Sequence, residues 1–347
     1  MAEERPYPDD PALHARFLQT REFGSLNGLR ALAILAVVWH HSMNEGEGRF
    51  PLLTRGFLGV DLFFVISGFL LATLLLRERQ RSGTIRLRSF YLCRVLPIFP
   101  AYYLMLAVVA DIAILKPGSG AADVKHDLLY AVFYVANLFP MKSLLAITWS
   151  LSVEEQFYFV VPTLEKYSRK YLPLGLFVAY VLCSLPPFGL FPELPLPAFF
   201  RQTTFGPIIL GVLLAHALDT PRVYQAFHRI LGYRLASGLA FLATIAVSAL
   251  PMPDISGWPR LAIHLTLGLL VASCVVREDH ILRAPFSLWP LRRIGIVSYG
   301  IYLYHLLVLH FAMKGMARIG SGTWILAEAS YHFFEARFLK LKERFTR

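Results

Sequence analysis

The sequence predicts an all-α polytopic membrane protein, a bundle of about ten transmembrane helices. Three observations carry that prediction. Of the 347 residues, 56% are hydrophobic and only 16% charged, too few charges to clothe a soluble domain of this size. Runs of about 20 apolar residues, long enough to cross a hydrocarbon core, recur from residue 26 onward. The basic residues collect in the connections between those runs, as the positive-inside rule requires.

Taken in order, the apolar segments are 26–43, 57–76, 95–115, 147–163, 171–187, 205–219, 235–250, 258–276, 294–312 and 321–338. Residues 1–25 carry both signs of charge and read as a cytoplasmic leader without a cleavable signal. The transmembrane domain is expected over 26–338 and a basic cytoplasmic tail over 339–347. The loop "RERQRSGTIRLRSFYLCR" (77–94), "EKYSRK" (165–170) and the stretch 277–293 are expected inside. A further apolar stretch, 127–140, is expected to be re-entrant or to lie at the outer interface. A full crossing there would place every later basic loop outside. Both termini are then cytoplasmic.

The net charge of +11 and the pI near 9.7 follow from those basic loops, so no nucleic-acid partner is expected. Cys93, Cys183 and Cys274 are scattered in or beside apolar segments, in neither a disulfide framework nor a metal spacing. No metal site is expected.

Ionisable residues inside the spans point to the chemistry, because lipid makes them costly. "LRALAILAVVWHHSM" (29–43) carries Arg30 and His41 eleven residues apart. At about 100° per residue they fall within roughly 20° of one helix face, some 16 Å apart along the axis. His40 lies about 80° off that line, so His41 is the candidate base. Snorkelling to the two interfaces explains Arg30 passably but paired histidines less well. In the antiparallel next span, Asp61 is expected at a depth comparable to His41, where a carboxylate would orient the imidazole. Its bland alternative is a helix-start cap. Ser67-Gly68 falls mid-span, where small residues let helices approach; Ser67 as a nucleophile has no base near it in sequence.

"FYLCRVLPIFPAYY" (90–103) places Arg94 at a cytoplasmic entrance, either as a topology signal or to grip the phosphates of a soluble donor. Pro97 is expected at a helix start, where proline is tolerated. "TWSLSVEEQFYFVVP" (148–162) sets Glu154 and Glu155 in an apolar span; pairing with Arg30 or Arg94 and substrate binding weigh equally. His305 in "SYGIYLYH" and Glu335 in "SYHFFEARF" are further candidates. His216 and His264 read as structural or pore-lining.

These stretches together resemble acyltransferase family 3, integral membrane O-acyltransferases that modify polysaccharides, lipid-linked sugars, peptidoglycan and macrolides. The resemblance spans about residues 21–345 and rests on "LNGLRALAILAVVWHH", "GVDLFFVISGFLL", "FYLCRVLPIFPAYY", "WSLSVEEQFYFVVP", "SYGIYLYH" and "SYHFFEARF". The family's arginine–ten residues–histidine motif falls on Arg30 and His41. The usual second arginine of its Arg-x-x-Arg pattern is replaced by Pro97, and Cys93 stands where another arginine is frequent. The resemblance implies transfer of an acetyl group from acetyl-CoA, or another acyl-CoA, to a hydroxyl of a sugar, glycolipid or glycosylated small molecule. His41, Asp61 and Arg30 would be catalytic and Arg94 donor-binding. It implies no permanently bound cofactor and a place in a bacterial inner (plasma) membrane. A transporter or flippase with a buried His/Asp/Glu path is the rival from another class, though no repeat symmetry supports it. An inactive scaffold is a third reading, prompted by Pro97.

Overall fold

The computed structural model describes residues 11–42, 51–115, 120–184, 205–251, 257–311, 316–332 and 336–337. Among them the chain is helical, with no strand. The helices run α1 Pro11–Gln19, α2 Gly24–Ser42, α3 Pro51–Thr54, α4 Leu58–Ser82, α5 Leu87–Leu115, α6 Ala121–Val132, α7 Thr148–Ser168 and α8 Leu172–Ser184. Then follow α9 Gly206–Asp219, α10 Pro221–Leu231, α11 Ala236–Ser248, α12 Trp258–Val276, α13 Arg283–Phe286, α14 Trp289–Ile296, α15 Ser298–Phe311 and α16 Met316–Ser330.

Three of these, α4, α5 and α12, are long and apolar enough to cross a membrane, or up to five segments if each bent pair is one span. The bent pairs are α1–α2, at 58°, and α10–α11, at 79°. The protein is an integral membrane protein. Among the described residues the expected count of ten is not reached by this measure. Helix α9 has 14 residues, about 20 Å at 1.5 Å per residue, short of a hydrocarbon core of about 30 Å. The apolar segment 294–312 is divided between α14 and α15. Residues 127–140 form no single helix, because α6 stops at Val132.

The core is built around α4, which runs between α2 and α9. Small residues set how close it comes. A Cβ on Gly68 would lie 2.1 Å from the Ile208 carbonyl oxygen, and one on Gly211 would lie 2.2 Å from that of Val65. Larger side chains at these two positions would push α4 and α9 apart. Helix α4 ends at Gly83, whose φ of 73° is left-handed and whose N–H closes on the Arg79 carbonyl at 2.8 Å. Arg77, in its penultimate turn, donates to the carbonyls of Phe17 and Thr20 and ties α1 to α4. Helix α2 packs against α14 and α15, and α15 against α16. The expected helix start at Pro97 is corrected: α5 begins at Leu87, so Pro97 and Pro100 are interior. Their missing N–H groups free the carbonyls of Cys93 and Leu96, a defect that membrane helices tolerate when neighbours compensate.

Candidate active site

A cavity of about 430 Å³ lies where α2, α4, α5, α7 and α15 converge. Arg30, Ser67, Arg94 and Glu154 line it, together with Tyr158 and Tyr302. Four residues predicted separately, three from different spans and Arg94 from the end of a basic loop, thus meet in one space. The groups acting on Glu154 are the Ser67 hydroxyl and the Arg30 and Arg94 guanidiniums. Arg94 also lies over the Tyr158 ring, 4.6 Å from its centroid, a cation–π contact that aims the guanidinium. Cys93 and Pro97 line the same cavity, so both departures from the family pattern face the space in question.

Tyr302 forms part of the cavity wall and is pinned by its hydroxyl, which donates to the Ile147 carbonyl at 3.0 Å and lies 2.6 Å from Ser150 Oγ. One turn further along α15, His305 Nδ1 donates to the Tyr302 carbonyl at 2.7 Å. A carbonyl can only accept, so Nδ1 carries the proton and Nε2 of neutral His305 is an acceptor. That Nε2 lies 3.2 Å from His41 Nδ1. His41 Nδ1 is also 3.0 Å from the Val37 carbonyl, so its proton is shared between the two acceptors. The Nε2 lone pair of neutral His41 is left bare, the tautomer a general base needs. The His40 ring makes T-shaped contacts with Phe57, at 5.4 Å between centroids, and with His41, at 5.2 Å.

Asp61 stands elsewhere. Its carboxylate meets Arg260 Nη2 at 2.8 and 2.9 Å and His264 Nε2 at 3.5 Å. The expected pairing of Asp61 with His41 is therefore corrected: Asp61 is held by α12, while His41 is oriented by Val37 and by His305 of α15. The electrostatic reason is that a buried carboxylate gains more from a guanidinium than from a neutral imidazole. Arg260 was missed in the sequence, although an arginine four residues before His264 in an apolar span is itself a signal. His216 pairs with buried Glu165 at 3.1 Å. Glu335 lies outside the described residues.

Glu155 faces a different space. It lines a second cavity, of about 350 Å³, that shares Arg94 and Tyr158 with the first. Tyr134 also lines this second cavity. Its backbone, at φ 53°, occupies the left-handed position that closes α6: the N–H of Tyr134 bonds to Ala131 and that of Val135 to Tyr130. Glycine is the usual choice there, and a side chain costs roughly 1 kcal/mol. Gln156 holds the strained turn by donating to the Tyr134 carbonyl at 2.8 Å while exchanging amide hydrogen bonds with Asn137. Among the described residues no group of three or more His, Cys, Asp or Glu could hold a metal ion.

Comparison with known proteins adds the following. A family model described as an acyltransferase domain matches residues 23–330. A protein of Staphylococcus aureus strain COL, named "Putative O-acetyltransferase", is 29% identical over 94% of this chain and 58% of its own length. The peptidoglycan O-acetyltransferase OatA of Listeria monocytogenes is 28% identical over 91% of this chain and 56% of its own length. This chain thus spans little more than half the length of the curated relatives it matches. No solved structure matches it.

Proposed function

The chain belongs to acyltransferase family 3, and from that premise we propose that it is a membrane O-acetyltransferase of a bacterial plasma membrane. The proposed donor is acetyl-CoA and the proposed acceptor a hydroxyl of a cell-envelope glycan. The acceptor class is supported by the name of the Listeria relative, the donor by the paired guanidiniums of the cavity. One observation carries the reading: Arg30 and Arg94 line a single cavity whose wall residue Tyr302 also anchors the His305–His41 pair.

In this reading Arg30 and Arg94 grip anionic groups of the donor in the cavity and direct its thioester past Tyr302 toward His41, which does not itself line the cavity. The acceptor O–H attacks the thioester carbonyl carbon; the C–O bond forms as the C–S bond breaks. His41 Nε2 takes the acceptor proton and returns it to the departing thiolate, while His305 Nε2 steadies the Nδ1–H of the transient imidazolium. Cationic groups in a dry site stabilise the negative charge that builds on the carbonyl oxygen. Asp61 has a structural task, holding α4 to α12. The termini and the basic loops 77–94, 165–170 and 277–293 are proposed to be cytoplasmic, which puts the donor-binding arginines within reach of CoA.

Proteoliposomes given radiolabelled acetyl-CoA and soluble glycan fragments test the reading. Label moving to the glycan, or acetyl-CoA hydrolysis lost in His41→Ala, is the expected result. Uptake of label without loss of the acyl group would replace it with the transporter reading.

A further inference from the structure

Helix α10 presents three faces of different chemistry. At about 100° per residue, Tyr224 and Leu231 share one face, and Val223 and Ile230 share a second about 100° away. Arg222 and Arg229 share a third, about 100° further round. The first face is held by the protein. Tyr224 is buried, packs its ring 5.1 Å from those of His14 and Phe17, and donates its hydroxyl to the Val276 carbonyl at 3.1 Å. That anchor turns the other two faces outward. Arg222, Val223, Arg229 and Ile230 are all exposed, Ile230 at 72%.

The neighbouring helix shows what the apolar face meets. Leu235, Leu239, Leu242 and Ala246 recur at helical spacing and are exposed, an apolar stripe along α11. Helix α11 packs against α12, which is long and apolar enough to cross a membrane, so the stripe lies against lipid. At the end of that stripe the chain turns by 79°, and α10 runs nearly at right angles to the crossing direction. Its course is therefore along the membrane plane. The turn is fixed from the α12 side: Arg277 donates to the Gly232 carbonyl at 2.8 Å, and the Ile281 N–H to the Arg234 carbonyl at 2.9 Å. Tyr233, exposed at the turn, is the kind of amphipathic aromatic that marks headgroup depth.

Charge selects the lipid. Residues 221–250 contain Arg222, Arg229 and Arg234 and no Asp or Glu. A position in water would leave Val223 and Ile230 bare, and one inside the hydrocarbon would strand the arginines. At the interface both faces are met, and a net negative surface attracts the arginines as a zwitterionic one does not. We propose that α10 is an interfacial helix that docks on acidic phospholipid. Val223 and Ile230 enter the boundary of the acyl chains, and Arg222 and Arg229 bind headgroup phosphates. The docking does not depend on acyl transfer, so it and the proposed activity fail separately.

The test uses the full chain in nanodiscs, with Ile230→Trp as reporter and the protein lacking that change as the tryptophan background. Lipids brominated in their acyl chains quench a ring that reaches those chains. In mixtures of phosphatidylglycerol and phosphatidylcholine, the brominated acidic lipid should be preferred at the reporter by about fivefold or more. Adding Arg222→Gln and Arg229→Gln together should bring the two lipids to parity, with an unchanged melting midpoint in phosphatidylcholine. Arg222→Lys with Arg229→Lys should keep the preference, which separates charge from fold. Absence of quenching by either lipid would put the face in water or against another protein chain and overturn the proposal. Equal quenching with the arginines in place would mean unselective lipid contact and overturn it too. A preference that survives the double Gln change would assign the charge effect to other residues. Loss of the preference on adding soluble glycerol phosphate would give the arginines a free phosphate as ligand, and either of these last results also sinks it.

Discussion

Asp61 and Glu154 are both carboxylates inside apolar helices, yet the bundle treats them differently. Asp61 is 3% exposed and closed in by Arg260 and His264, protein groups that take up its charge. Glu154 has Ser67, Arg30 and Arg94 around it, but these groups share the wall of a cavity of about 430 Å³. The first arrangement spends its charges on holding α4 to α12. The second leaves cations and a hydroxyl facing space that a ligand can fill. Ionisable residues in a span are functional by default, but a buried ion pair that excludes ligand is one way in which that default fails.

The largest effect that can break this comparison is on stability. Asp61→Ala takes the carboxylate from Arg260 and leaves it only His264 as a hydrogen-bond partner among the described residues, and removing one partner of a buried pair costs up to about 3–5 kcal/mol. Thermal melting of the solubilised protein should show a large drop for Asp61→Ala and a small one for Glu154→Gln. Turnover should show the reverse order of specific losses once expression is normalised. Equal destabilisation by both would erase the distinction between a structural and a ligand-facing carboxylate.

Next in size is catalysis. His41→Ala should lower transfer at least roughly a hundredfold with normal membrane insertion, as loss of a general base does. His305→Ala should cost about tenfold, because the His41 Nδ1–H keeps the Val37 carbonyl as a partner. His40→Ala should retain most activity. An inactive His40→Ala beside an active His41→Ala would reverse the assignment of the two rings.

A smaller effect comes from His280, a buried imidazole whose partner is neutral: its Nε2 lies 2.8 Å from Ser25 Oγ, tying the 277–293 loop to the start of α2. Burial, helped by Arg283, pushes the ring down to about 4. The unfolded chain titrates near 6.5, so between about pH 6.5 and 4 it binds more protons than the folded one, and stability falls as pH falls. The loss at pH 5 should be about 1–2 kcal/mol. His280→Gln keeps a partner for Ser25 and should flatten the pH dependence of the melting midpoint in that window. An unchanged slope would assign it to carboxylates such as Asp279, held below its usual range by Arg277.

Much of this site was legible in the sequence because lipid makes polar residues conspicuous. Arg30, Ser67 and Glu154 could each be picked from an apolar run, Arg94 stood at the edge of one, and periodicity singled out His41 over His40 as the candidate base. Partner identity was not legible. Depth alone put Asp61 beside His41, since nothing in one sequence says which neighbour a helix face meets; α12 supplies Arg260, and α15 supplies His305. The span count of ten was not reached among the described residues. Hydropathy marked 205–219 and α9 fills it, but 14 residues are short of a full crossing. Tyr134 gave no signal at all, because a left-handed cap normally announces itself by glycine.

The smallest predicted effect tests whether the first cavity is a donor site. Pro97 sits within α5, three residues after Arg94, and lines the same cavity as Arg94 and Cys93. Pro97→Arg makes two changes at once. It gives the Cys93 carbonyl its helical N–H partner, and it adds a second cation nearly one turn from Arg94. Pro97→Ala makes only the first change and serves as the control. If the cavity takes the phosphates of CoA, Pro97→Arg should lower the Michaelis constant for the donor about threefold to tenfold, the scale of one added charge-assisted contact. Pro97→Ala should leave that constant alone, and the acceptor's constant should not move in either variant. An equal gain in both variants would credit the helix repair rather than the charge. No change in either would mean that Arg94 suffices or that the donor is not CoA, and the contrast between a ligand-facing cavity and a closed ion cluster would then rest on Glu154 alone.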